Sequence, residues 1–191
     1  MELEFKGNEI IMRGKTITEL DKFVFNFIEL LDIDYVVSGY VAILFGRSRD
    51  IDVLIEPITY NKFKELYERT VKRGYYFLNS DRPNNLYEML ERSAVRIAKE
   101  DTIIPNIELK FTKNEFDKFS IQNRLKVVVN GEQVYISPIE IQIAYKLYLG
   151  SDKDVEDAVH LWEIFKDYID RKKLNNFMKK MNVKGEVYGI G

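Results

Sequence analysis

Asp50 and Asp52 stand on either side of Ile51, and Val53, Leu54 and Ile55 follow. The apolar run predicts a β-strand, on which residues i and i+2 face the same way. The two carboxylates then project together, about 6–7 Å apart along the backbone. Acids are poor strand formers, so a compensating positive charge is expected beside them. Two sources fit. One is a hard divalent cation held by oxygen ligands. The other is Arg47 and Arg49, just upstream, as salt-bridge partners. A third acid, Glu108, lies in Asn106–Phe111, which also reads as a strand, with Lys110 on the same face as Glu108. Lys110 is placed to pair with Glu108 or to touch a phosphate. Two or three convergent carboxylates are what a two-metal displacement at phosphorus requires, with metals about 3.5–4 Å apart.

The elements that must position these groups begin upstream. Tyr35–Ser38 reads as a buried strand, and Gly39 permits a tight turn with a ligand close to the backbone. Tyr40–Phe45 reads as a short apolar helix whose first amides would face an anion. Ser38-Gly39, the apolar run, Gly46-Arg47-Ser48-Arg49 and Asp50-Ile51-Asp52 together resemble the signature of the nucleotidyltransferase superfamily, with its DNA polymerase beta-like fold. More closely, the stretch resembles small prokaryotic nucleotidyltransferases of the abortive-infection toxin type.

That resemblance implies that Asp50, Asp52 and Glu108 bind Mg2+ or Mn2+ and carry catalysis. Ser38, Gly39, Arg47, Arg49, Lys110 and Lys146 are the implied nucleotide-binding residues. It further implies an NTP donor, an acceptor that is RNA, protein or a small molecule, and a cognate antitoxin as a possible partner. Two departures stand out. The third acid is usually Asp, and here it is Glu108; the arginine loop is short, so Arg49 abuts Asp50. They motivate an alternative, a catalytically degenerate protein that binds a nucleotide or partner without chemistry. Lys146 and the stretch Lys153 to Asp157 also resemble the helical segment of the toxin-type families. On a helix Asp154 and Asp157 share a face, while Lys153 and Asp157 make an i, i+4 pair that reads as a solvated salt bridge.

Composition narrows the field. The 191 residues are 46% hydrophobic, enough for a sizeable core, and 31% charged with a net charge of −2, so no basic excess marks a nucleic-acid binder. The absence of cysteine excludes disulfides and thiolate metal sites. The single histidine, His160, excludes a multi-histidine site and reads as a packing residue. Arg171, Lys172, Lys173, Lys179 and Lys180 form a basic run on the last predicted helix, which reads as a solvated face. The N-terminus has no signal-peptide pattern and no apolar run reaches membrane length, so a cytoplasmic protein with no membrane partner is expected. Abundant Lys, Glu, Ile and Tyr without Cys suits a thermophile.

Along the chain, residues 2–6 and 9–13 predict a hairpin around Gly7-Asn8. Thr16 and Glu19 read as a capping box for a helix over 17–31. Thr59 caps a helix over 60–72, with Phe63, Leu66, Tyr67 and Val71 inward, ended by Gly74. Residues 75–78 read as a short strand, 81–85 as a turn cluster before a helix reaching Glu91. Val95–Lys99 and Asn106–Thr112 read as strands extending the sheet beside Asp50. Leu125–Val129 and Gln133–Ile136 form a hairpin across Asn130-Gly131. Ser137-Pro138 caps a helix to Leu149, Ser151 caps one over 152–167, and a last helix spans 171–180 before a loosely held tail. The expected fold is α+β, α/β-like: a mixed β-sheet nucleotidyltransferase core over 1–136, flanked by helices, and a C-terminal helical lobe over 137–191, or both as one single domain.

Overall fold

The computed structural model describes residues 2–38 and 51–191. Its centre is a mixed nine-stranded sheet. The strands are β1 (Glu2–Lys6), β2 (Glu9–Arg13), β3 (Tyr35–Val37), β4 (Ile51–Ile55), β5 (Tyr75–Phe77), β6 (Ala94–Lys99), β7 (Asn106–Phe111), β8 (Leu125–Val129) and β9 (Glu132–Ile136). Their order is β1-β2-β8-β9-β3-β4-β7-β6-β5. Three pairs are parallel: β2 with β8, β9 with β3, and β4 with β7. The described helices are α1 (Glu19–Ile28), α2 (Tyr60–Lys72), α3 (Pro83–Arg92), α4 (Glu115–Gln122), α5 (Ile139–Leu149), α6 (Asp152–Phe165) and α7 (Arg171–Lys180).

Alternation along the central strands sets both faces. On β4, Ile51, Val53 and Ile55 are buried while Asp52 and Leu54 are half-buried. On β7, Ile107, Leu109 and Phe111 are buried while Asn106, Glu108 and Lys110 are not. Each buried aliphatic chain contributes roughly 1.5–3 kcal/mol. A one-residue slip would drive Asp52 or Glu108 into that core, so the register is strongly fixed. On the apolar side, α2 and α3 pack on each other and on β5–β7, with Phe63, Leu66, Leu86 and Leu90 inward. On the other side, α5 packs against α6 and α7.

Local signals account for most boundaries. The Asn130-Gly131 turn has φ of 51° and 94° and brings Val129 opposite Glu132, as a two-residue hairpin needs. Thr59 and Ser151 accept from the amides of Lys62 and Asp154, and Gly150 closes α5 in the left-handed conformation at φ 69°.

Four expectations are corrected. The first helix is capped by Thr18 with Asp21, not by Thr16 with Glu19. Asp21 is fully buried and accepts from the amide and hydroxyl of Thr18 and from Lys15, an ion pair that a pattern of near neighbours does not reveal. Val71 is exposed, and the buried face of α2 runs through Phe63, Leu66 and Thr70 instead. Ser137 does not cap α5; the cap position is Pro138, without a side-chain bond. The tail is docked: Val183 donates to Met178, Ile190 donates to Gly185, and the Ile190 side chain is buried. No described helix is long and apolar enough to cross a membrane.

Candidate active site

The parallel pairing of β4 with β7 places Asp52 directly beside Glu108 and Leu54 beside Lys110. Adjacent strands lie about 4.8 Å apart, so the two carboxylates are immediate neighbours on one face. Ser38 joins the same row at the end of β3, where its amide donates to the Asp52 carbonyl at 2.9 Å. On the far side β6 sets Arg96, exposed, opposite Glu108. The row therefore reads Ser38, Asp52, Glu108, Arg96 across four strands.

Lys110 ties the acids together. Its Nζ lies 2.7 Å from Asp52 Oδ1 and 3.6 Å from Glu108 Oε2. Burial disfavours the ammonium, but Asp52 and then Glu108 outweigh it, so the pKa of Lys110 is raised. The Lys110, Asp52 and Glu108 side chains are 35%, 26% and 36% exposed, so the cluster stays open to solvent.

These groups form the floor of a cleft of about 380 Å³. One wall comes from Lys113, Asn114 and α4, with Phe116, Asp117 and Ser120. The other comes from Ser137 and α5, with Ile141, Gln142 and Tyr145. Asn114 caps α4 by accepting from the amides of Phe116 and Asp117, while Asp117 accepts in return from the Lys113 and Asn114 amides. Gln142 Nε2 donates to the Ser137 carbonyl at 2.6 Å and fixes the opposite wall. Tyr145 stacks with Tyr148 at the rim, with ring centroids 6.1 Å apart. Burial raises the Tyr145 phenol pKa, and the nearby Lys110 ammonium works against that rise.

Of the residues singled out in the sequence, Ser38, Asp52, Glu108 and Lys110 come together here. Gly39, Arg47, Arg49 and Asp50 lie outside the described residues, as does the predicted helix Tyr40–Phe45. Lys146 is not among the residues lining the cleft. It lies on α5 with its Nζ 2.7 Å from Asp154 Oδ1 and 3.1 Å from Asp157 Oδ2, both on α6. Burial lowers the Lys146 pKa, and the Asp154 and Asp157 carboxylates beside it raise it, with a net rise. Sequence reasoning missed Tyr145, Gln142 and the Lys113–Asp117 wall. The signal for Tyr145 was its place next to Ala144 and Lys146 on a helix whose apolar face, Ile139, Ile143 and Leu147, leaves it at the edge.

The donor set suits a divalent cation. Asp52 and Glu108 offer hard oxygens, and the Lys110 ammonium already stands between them as a cation. Among the described residues no group of three His, Cys, Asp or Glu side chains is gathered. The third expected ligand, Asp50, lies beyond them.

No family model and no curated protein matches the chain. Among solved structures, the antibiotic-resistance factor ANT(2'')-Ia has a similar fold, with a TM-score of 0.55 at 12% identity over 85% of this chain and 89% of that one. An antigenic nucleotidyltransferase-like protein from Paracoccidioides brasiliensis superposes with a TM-score of 0.47 at 15% identity, over 83% of each chain. At 12% identity the likeness to ANT(2'')-Ia is one of fold alone.

Proposed function

We propose that the chain is a nucleotidyltransferase dependent on Mg2+ or Mn2+, moving a nucleoside monophosphate from an NTP to an acceptor hydroxyl. The observation that carries this reading is the in-register pair Asp52 and Glu108 on parallel strands, facing a cleft of nucleotide size. The likeness in fold and the Ser38-Gly39 to Asp52 signature support it. The acceptor oxygen forms a bond to the α-phosphorus, the bond from that phosphorus to the bridging oxygen breaks, and pyrophosphate leaves. Asp52, Glu108 and Asp50 would hold the divalent cation, which would supply charge neutralisation at the phosphoryl oxygens. In this reading Glu108 takes the acceptor hydroxyl proton, and Ser38, Gly39, Arg47 and Arg49 cradle phosphates. Lys146 is left out, because two carboxylates already hold its ammonium.

A second reading is favoured by one observation. The Lys110 ammonium is paired with Asp52 and lies beside Glu108, an arrangement that also suits a degenerate site that only binds a nucleotide or a protein such as an antitoxin. Calorimetric titration of Mg2+ with each of the four NTPs, together with pyrophosphate release, separates the two. Metal-dependent binding of one NTP and pyrophosphate release, both lost in Asp52→Asn, support transfer. Binding without release under Mg2+ or Mn2+ supports the degenerate site.

A further inference from the structure

We propose that Lys110 is a resident cation at the metal position, which the incoming divalent ion must displace from Asp52 and Glu108. This rests on the metal-dependent reading above. The argument starts from register. Lys110 belongs to the row of Leu54, one step beyond the row of Asp52 and Glu108. Residues on the same face of a strand are about 6–7 Å apart, and a lysine stem spans that distance. Its ammonium reaches back to Asp52 at 2.7 Å and stays within 3.6 Å of Glu108. It therefore occupies the space between the two carboxylates, where a divalent ion ligated by both would sit.

The two cations exclude each other there. An ammonium within contact distance of the carboxylate oxygens repels a divalent ion and covers the lone pairs that would ligate it. The arrangement leaves Lys110 free to leave: it is anchored on a rigid central strand, yet its side chain is one-third exposed and borders the open cleft. Once displaced, it lies among the cleft-lining residues, with an unpaired positive charge that suits a phosphate. Loading of metal alone is thereby opposed, while an anionic substrate that pairs with the displaced ammonium favours it. Such coupling is reciprocal between the two ligands.

The test uses the full chain and Mn2+ alone, with no nucleotide, following free Mn2+ by electron paramagnetic resonance. Lys110→Met is expected to bind Mn2+ at least about tenfold more tightly than wild type, because the competing cation is gone. Lys110→Arg, which keeps the charge, is expected to stay near wild type. Lys110→Gln repeats the comparison with a polar side chain if the methionine variant does not fold. A lysine that merely supported the site would move the affinity in the opposite direction. Equal or weaker binding by Lys110→Met, with binding still dependent on Asp52, overturns the displacement and leaves metal-dependent transfer standing. No Mn2+ binding by wild type or either uncharged variant overturns both.

Discussion

Among the described residues two clusters place a lysine between two carboxylates, and their settings differ. Around Lys110 the acids come from two neighbouring strands, and all three side chains are between 26% and 36% exposed. Around Lys146 both acids come from one turn of α6, and the exposures are 17% for Lys146, 17% for Asp154 and 2% for Asp157. Breaking a buried pair leaves a charge without solvent, whereas a half-exposed pair is worth little to stability and can exchange its partner. The first cluster is therefore suited to chemistry at the cleft floor. The second is suited to locking α5, which carries Tyr145 and Gln142, onto α6.

The sharpest way to break this contrast is to remove one acid from each cluster. Asp52→Asn is expected to lower turnover roughly 10³-fold, the scale of lost charge stabilisation at phosphorus. Its melting temperature should stay within about 4 °C of wild type, since an exposed pair contributes at most ~1 kcal/mol. Pyrophosphate release and thermal unfolding read the two quantities. Asp157→Ala is expected to do the reverse, costing about 3 kcal/mol, or roughly 6–12 °C in a chain of this size. Activity per folded molecule at 25 °C should hold. An Asp157→Ala protein that melts normally but has lost activity would erase the distinction.

Glu108→Gln sharpens the first half of it. The amide keeps the size of the side chain but cannot take a proton, so turnover should fall about 10²-fold. The fall should exceed that for Glu108→Asp, which restores the acid usual in the resembled families. Pre-steady-state measurement of product formation with each variant checks the order.

How much of this was legible in the sequence depends on the range of the interaction. The alternation in Ile51–Ile55 and Asn106–Phe111 marked two strands and the faces that Asp52 and Glu108 take; that the strands are neighbours was implied by the family resemblance, and the structure has the two acids in register. Thr59, Ser151, Gly150 and Asn130-Gly131 mark boundaries because caps and tight turns are local. Long-range choices were not visible. Between Thr16 and Thr18, each followed three residues later by an acid, the decision falls to Lys15, which pairs with the buried Asp21. Lys110 could be matched in sequence only with Glu108 on its own strand, yet its shorter contact is across the sheet to Asp52. Lys146 pairs with acids on the following helix, whose docking angle no periodicity reveals.

The smallest expected effect is the pH dependence of the two clusters, and it needs a double comparison. The Lys146 pKa is raised in the folded protein, so its pairing contributes fully below the unfolded value, about 10.4, and is lost as pH rises through the folded value. Asp154 is lowered despite its burial, by Lys146 and Ser151. Its contribution is present above about pH 3.9 and lost as pH falls through the folded value. Alkaline stability alone cannot isolate this, because burial also pushes Tyr35 and Tyr75 up to about 12. Their unfolded phenols ionise first, which destabilises the native state above about pH 10 in every variant. That background cancels when variants are subtracted. The melting-temperature gap between wild type and Lys146→Met should be wider at pH 9 than at pH 11.5. The gap for Lys110→Met should start near zero and move by about 1 °C, because its pair is screened by solvent. Equal narrowing in both would mean that burial does not separate the clusters.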